Sequence, residues 1–307
     1  MQIFYSDEFV LPLPEGHRFP MAKYRLLREA VGAHPELRHA ALRIPEAASD
    51  ADLLRVHTPD YLGRVLAGQL DRSEVRRIGF PWSPGLVERS RRSAGGTIGA
   101  ARGALVDGTG VNLAGGTHHA FAGHGEGFCV FNDVAVAIEA LRADGSIRRA
   151  AVIDLDVHQG NGTAALFAGV DEVFTVSVHG DSNFPFRKEE SDLDLGLPDG
   201  AGDDTFLDAV ARAVHAVRRT GYPDLVFYLA GADPYVEDRL GRLAVSPAAL
   251  AERDRLVMAE FVGQGVPVAV VMGGGYAERV EDTVAIHLES VLAAGRWSNP
   301  NQMVDAP

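Results

Sequence analysis

Cysteine is almost missing: Cys129 is the only one among 307 residues. That excludes a disulfide framework and any zinc site built on thiolates. Basic residues are also scarce, with Lys plus Arg at 29 against 42 for Asp plus Glu and a net charge of −13. General binding to nucleic acid or to anionic membrane rests on counterion release from basic surface, so both are disfavoured. A cationic substrate is, if anything, mildly favoured. The opening MQIFYSDEF has no basic segment leading into an apolar run and does not read as a signal peptide. No stretch approaches the roughly 18 uninterrupted apolar residues of a membrane span. Repeats, low-complexity tracts and linkers are lacking too. The expectation is a cytoplasmic protein whose residues 1–307 form a single domain, a length that α/β folds reach as one unit.

What is present is an alternation. The runs 111-VNLAGG, 150-AAVIDLDV, 172-EVFTVSV, 225-LVFYLAG and 267-PVAVVMGGG are nearly continuous in Val, Ile, Leu and Phe. Such runs suit strands covered on both faces. Helical patterns separate them. Phe206, Val210, Val214 and Val217 fall on one stripe after Asp204, Ser246-Pro247 reads as an N-cap followed by a first-turn proline, and Gly263 reads as a stop. Residues after Asn132 carry a similar helical pattern, while the Arg-rich region around 86–106 is less legible. Strands alternating with helices imply a single open, mostly parallel sheet flanked by helices on both faces. The segment 179–204 fits neither pattern and reads as a loop over the site.

Ligands of open α/β sheets bind beyond the carboxyl ends of the strands. The chemically unusual residues stand at such ends: His118 and His119 after the first run, then Asp154, Asp156 and His158, then Asp233, and finally Tyr276. Alternation along a strand puts i, i+2 and i+4 on one face, so Asp156 and His158 are expected to aim at one point. With a distant Asp233 they make three N/O ligands, the number a catalytic zinc site keeps from its protein. The same donors suit Fe(II). Taken singly, each piece has a plainer use: D-x-D-x-H as a strand-end cap, paired histidines as structural groups, G-G-G-Y as a turn, D-P as a helix start. Their joint placement after successive strands is what those uses do not explain. Cys129 reads as a small buried hydrophobe.

Together, GGTHHA (115–120), GEGFCVFND (125–133), VIDLDVHQGNG (152–162), AGADP (230–234) and GGGY (273–276) resemble the histone deacetylase-like family of metal-dependent amidohydrolases, with its arginase–deacetylase fold. VHTPDYL near residue 56 and DRLGRLAVSP (238–247) add weaker support, and the latter with HQGNG is most similar to the class IV branch and its bacterial relatives. The resemblance implies that Asp156, His158 and Asp233 bind Zn2+, with Fe2+ as the other metal. It implies that His118 and His119 are the catalytic pair, that Tyr276 binds the oxyanion and that Asp154 orients His118. It also implies a structural K+ on main-chain oxygens of Asp154, Asp156, His158 and Val178 and on side chains of Asp154 and Ser177. Gly127 and Phe128 would wall a narrow acyl-lysine channel, with Phe184 or Phe186 as a further aromatic. The implied substrate is an acyl-lysine of a protein or a small acylated amine such as a polyamine, deacylated by activated water.

Two positions depart from the family pattern. Asn161 stands where class I members carry Asp; it accepts a hydrogen bond from His119 but adds no charge, which predicts a less basic His119. FPWSPGL (80–86), near the expected place of the rim aspartate that clamps a peptide backbone, contains no acid. Two rival readings stand beside the deacylase. An arginase-like ureohydrolase would need a second metal and more bridging aspartates, and a non-catalytic metal-binding pseudoenzyme would fit a chain that lacked catalytic residues.

Overall fold

A computed structural model describes residues 1–298. In chain order the elements are β1 (Gln2–Phe4), α1 (Ala22–Ala33), β2 (Ala41–Arg43), α2 (Asp50–Leu53), α3 (Pro59–Ala67), α4 (Arg72–Ile78) and α5 (Pro84–Asp107). There follow β3 (Thr109–Asn112), α6 (Asp133–Ala143), β4 (Ala150–Asp154), α7 (Asn161–Phe167), β5 (Val173–Gly180) and β6 (Leu193–Leu197). The chain continues with α8 (Asp203–Arg219), β7 (Leu225–Leu229), α9 (Pro247–Phe261), β8 (Val268–Val271) and α10 (Val280–Trp297).

Eight strands form one sheet in the order β2-β1-β3-β8-β7-β4-β5-β6, and every described pairing is parallel. Alternation along the inner strands divides the core in two. Val111, Ile153, Val226, Tyr228, Val268 and Val270 pack with Val210 and Val214 of α8 and with Val257 and Phe261 of α9. Val152, Phe227, Leu229, Ala269 and Val271 pack with Ile98 and Ala101 of α5 and with Val134 and Ile138 of α6. Both faces are therefore covered, which is why these strands are apolar at every position rather than at every second one. The five expected strands are β3, β4, β5, β7 and β8.

The helix signals hold with small shifts. Ser246 accepts from the Ala249 amide to cap α9, and Asn132 caps α6 through Ala135. α9 runs into a short 3-10 turn and stops at Gly265 rather than Gly263. The 179–204 segment is not wholly loop: it contains β6, paired with β5 through Val176↔Leu193 to Gly180↔Leu197. No helix among the described residues is long and apolar enough to cross a membrane.

Register places the site. Asn112, Val271, Leu229 and Asp154 are aligned neighbours at the carboxyl ends of β3, β8, β7 and β4. Four loops leave the sheet side by side at one level, and the sequence-predicted residues lie on them.

Candidate active site

The loop after β4 corrects one expectation. The strand ends at Asp154, so strand alternation does not bring Asp156 and His158 together. Two Asx-type turns do: the Asp156 amide donates to Asp154 Oδ1 (3.2 Å), and the His158 amide donates to Asp156 Oδ1 (2.9 Å). His158 Nδ1 then lies 3.0 Å from Asp156 Oδ1 and 3.1 Å from Asp233 Oδ2. One ligand atom from each of Asp156, His158 and Asp233 lies within 4.8 Å of the others, and all three residues are buried. The Gly274 amide donates to Asp156 Oδ2 (2.6 Å) and the Val157 amide to Asp233 Oδ1 (3.0 Å), which fixes both carboxyl groups.

Burial and the Asp156 charge push the Asp233 carboxyl up to about 7. Burial opposes a charge on His158 too, but its hydrogen bonds to Asp156 and Asp233 hold it up at about 10. Two buried carboxyl groups converging on a single imidazole form a donor set that a divalent cation completes. The N/O/O set fits zinc or Fe(II).

The His pair sits on the loop after β3. Gly116 has φ +73°, and a Cβ on it would stand 2.5 Å from the Gly273 Cα, so the GGTHH and GGGY loops touch backbone to backbone. Asp133 anchors the first of these, accepting from the Gly116 and Thr117 amides at 3.1 and 2.7 Å. His118 Nδ1 is 2.6 Å from Asp154 Oδ2. Burial works against its protonation, but Asp154 and Asp156 outweigh burial and hold it up at about 9.

His119 Nδ1 is 2.7 Å from Asn161 Oδ1, and Asn161 Nδ2 donates to Glu126 Oε1 at 2.7 Å. A carboxylate only accepts, so Glu126 takes the amide N–H and turns the Asn161 oxygen toward His119. Nδ1 of His119 must then carry the proton, which leaves Nε2 as its free basic nitrogen. Burial, and then the charges of His118 and His158, hold His119 well below the ordinary histidine value, with the Asn161 bond offsetting them only in part.

Tyr276 follows β8. Its amide donates to Asp238 Oδ2 at 2.6 Å, and the other Asp238 oxygen accepts from Leu240 and Gly241. Burial, then the charges of Asp233 and Asp156, push the Tyr276 hydroxyl well above its usual value, so it remains an O–H donor. Lys23 lies beneath this loop, its Nζ 3.3 Å from the Gly275 carbonyl and 5.2 Å from the Tyr276 ring centroid.

His119, His158 and Tyr276 open into a cavity of about 520 Å³ also lined by Gly127, Phe128 and Phe184. Gly127 has φ +56°, and a Cβ there would stand 2.5 Å from the His119 ring. Phe128, also in the left-handed region at φ 66°, packs 5.2 Å from the Phe19 and Phe80 rings. Of the two loop aromatics, Phe184 meets His119 edge-on at 4.9 Å, whereas Phe186 is 86% exposed at the outer lip. A recess of about 50 Å³ continues inward between His118, Cys129, Asp156 and Gly274.

FPWSPGL serves structure instead of the rim. Phe80 is buried, Trp82 Nε1 donates to the Val65 carbonyl and Ser83 caps α5. Ser177 faces Asp154 across β5 and β4, its Oγ 3.0 Å from His179 Nδ1, and Val178 follows it, so the residues expected around K+ adjoin one another.

Sequence reasoning missed four supporting groups: Glu126, Asp133, Asp238 and Gln159. Gln159 pairs with the backbone of Glu189 in both directions, Nε2 to O at 2.6 Å and N to Oε1 at 2.9 Å, and so ties the loop over the site to the turn that carries Asp156 and His158. Each lies inside or beside a motif, but each acts on a partner 16 or more residues away. No local pattern marks such a pairing.

The comparisons with known proteins agree with this architecture. The profile of the histone deacetylase domain matches residues 17–291. A protein of Picosynechococcus described as uncharacterized is 45% identical over 93% of this chain and 95% of its own length. The histone deacetylase-like amidohydrolase of Pseudomonas aeruginosa is 33% identical over 87% of this chain and 74% of its own. The crystal structure of a histone deacetylase homolog from Aquifex aeolicus superposes with a TM-score of 0.80 at 25% identity, over 97% of this chain and 83% of the other.

Proposed function

Because the chain belongs to the histone deacetylase family, we propose that it is a metal-dependent amidohydrolase that removes a short acyl group from an N-acylated amine. The amine is an acyl-lysine side chain or a small acylated amine. One observation carries the reading: a three-ligand N/O cluster, a histidine with a free basic nitrogen and a protonated phenol meet at the floor of one cavity.

Asp156, His158 and Asp233 would hold the ion, zinc by donor set with Fe(II) as the other candidate, and it would polarise the acyl carbonyl and make water more acidic. His119 takes the proton of the attacking water at Nε2 and returns one to the leaving amine. Asp154 orients His118, whose charge lies beside His119, at 4.1 Å between ring centroids. Tyr276 donates a hydrogen bond from its hydroxyl to the oxyanion that develops on the carbonyl, the place where a fixed donor counts most. Phe128 and Phe184 hold the stem of the acylated arm. The 50 Å³ recess supports a short acyl group. A structural K+ against Asp154, Asp156, His158, Ser177 and Val178 would stiffen the turn that carries two of the ligands.

Among the described residues, Asp156–His158–Asp233 is the one cluster with metal-ligand spacing. That favours a single-ion amidohydrolase over a two-metal ureohydrolase. The test is a screen of metal-reconstituted protein against acyl-lysine amides and acylated small amines of graded chain length. Turnover of the shortest acyl groups is expected; no turnover of any probe overturns the reading.

A further inference from the structure

The mouth of the cavity carries the charge opposite to that of the chain. The molecule as a whole is −13, yet among the described residues those lining the cavity include five arginines, Arg18, Arg76, Arg77, Arg239 and Arg242, and no Asp or Glu. They come from three separate stretches: the segment before α1, the last turn of α4, and the connection between β7 and α9. All five are exposed.

Elsewhere some surface arginines have a carboxylate partner, Arg25 with Glu29, Arg92 with Glu88, Arg255 with Glu252 and Arg296 with Glu36, while exposed Arg38, Arg43 and Arg219 have none among the described residues. The mouth differs in gathering five arginines around one cavity with no lining acid. At the mouth only Arg242 has such a partner, Asp199 at 3.0 Å. Among the described residues, Arg18, Arg76, Arg77 and Arg239 have none within 4.0 Å. Two of the segments are held in place. Arg239 Nε donates to the Tyr276 carbonyl at 3.1 Å. The turn of α4 is stitched to the channel wall, with the Gly127 and Phe128 amides donating to the Arg77 and Ile78 carbonyls at 3.1 and 2.7 Å.

We infer that the substrate of this site is anionic: the acylated amine carries carboxylate or phosphate groups within reach of the mouth, and lysine-rich peptides and polyamines are selected against. The inference rests on the amidohydrolase reading and names its substrate class. Guanidinium forks match carboxylate and phosphate, and at an exposed rim they act mainly through steering and discrimination. A cationic substrate would meet arginines and no lining acid to receive its charge. The local field at the mouth therefore outranks the bulk charge, which alone would point to a cationic substrate.

The test uses the metal-reconstituted full chain and four probes with the same acetyl group. These are an acetyl-lysine peptide flanked by glutamates, its match flanked by lysines, Nα-benzoyl-Nε-acetyl-lysine with a free carboxylate, and the uncharged methyl amide of the latter. We expect kcat/KM to favour the glutamate-flanked peptide over the lysine-flanked one by roughly tenfold at low ionic strength, shrinking with added NaCl, as expected for several exposed pairs acting together. The carboxylate-bearing small probe against its methyl amide shows whether one charge on a small molecule suffices. Arg76→Glu with Arg77→Glu should abolish or invert the peptide preference, and Arg239→Gln, on a different segment, should reduce it. Fluorescence anisotropy of the two peptides should follow the same order and the same salt dependence. Equal rates, a preference for the lysine-flanked peptide, or a preference untouched by both variants overturns the inference. If the methyl amide turns over while no preference appears, the inference falls and the amidohydrolase reading stands. If no probe turns over, both fall.

Discussion

At the floor of the cavity, Asp154, Asp156 and Asp233 are buried and share every close contact with His118, His158 and loop amides. At its mouth, Arg18, Arg76, Arg77 and Arg239 are exposed and have no carboxylate beside them among the described residues. The floor is acidic and buried, each group held by at least one neighbour. The mouth is basic and exposed, and of its five arginines only Arg242 has a carboxylate partner among the described residues. A buried charge without a partner is expensive, so the floor's groups must be coupled and are shifted far from their ordinary values. An exposed charge loses little by standing alone, which leaves it available to a ligand. On the proposed reading the floor carries the chemistry and the mouth the selection.

Asp233→Asn should break the floor alone. It removes a ligand, and we expect loss of bound metal and a fall in kcat of at least ~100-fold. The salt-dependent preference for the acidic peptide should survive in anisotropy. Loss of both together would mean that floor and mouth are one unit. Tyr276→Phe should leave metal binding intact and lower kcat by about 10²–10³, the effect of one oxyanion donor; a fall in metal content instead would make Tyr276 a structural group.

The Asn161 pair sharpens the picture at the floor. His119 lies well below the ordinary histidine value, so it stays neutral as pH falls and the acidic limb of kcat/KM should lie below that value. Asp at 161 adds a negative charge, raises His119 and moves the limb to higher pH. Yet the new carboxylate would face Glu126, which now accepts from the Asn161 amide at 2.7 Å. Asn161→Asp alone should therefore shift the limb less than Asn161→Asp combined with Glu126→Gln. Equal shifts would remove Glu126 from the arrangement. Gln159→Ala should have the smallest effect, a rise in KM of a few fold as its two hydrogen bonds to Glu189 and one to Asp194 are lost. Faster amide exchange across residues 181–192 would accompany it.

The floor was largely legible in the sequence and the mouth was not, for a physical reason. Inner parallel strands must be apolar on both faces, so a polar residue at their ends is conspicuous; Asp156, His158, Asp233 and Tyr276 were picked out as candidates that way. The expected geometry there is corrected, because Asx-type turns rather than strand alternation bring Asp156 to His158. Strands β1 and β2 escaped notice because each has three residues, and β6 because its LDLGL is only partly buried. Glu126 and Asp133 stood inside a recognised motif without a role, since their partners lie 35 and 16 residues off. The arginines of the mouth resemble any solubilising arginines until the fold gathers them and leaves their acids elsewhere.

The central claim is that one ion on Asp156, His158 and Asp233 runs the floor. Metal-free protein should be titrated with Zn2+ while turnover of the uncharged acetyl-lysine methyl amide is followed and bound metal is measured. Activity should rise linearly and level off at one ion per chain. Activity that needs two ions, or that is full in the metal-free protein, would contradict the account.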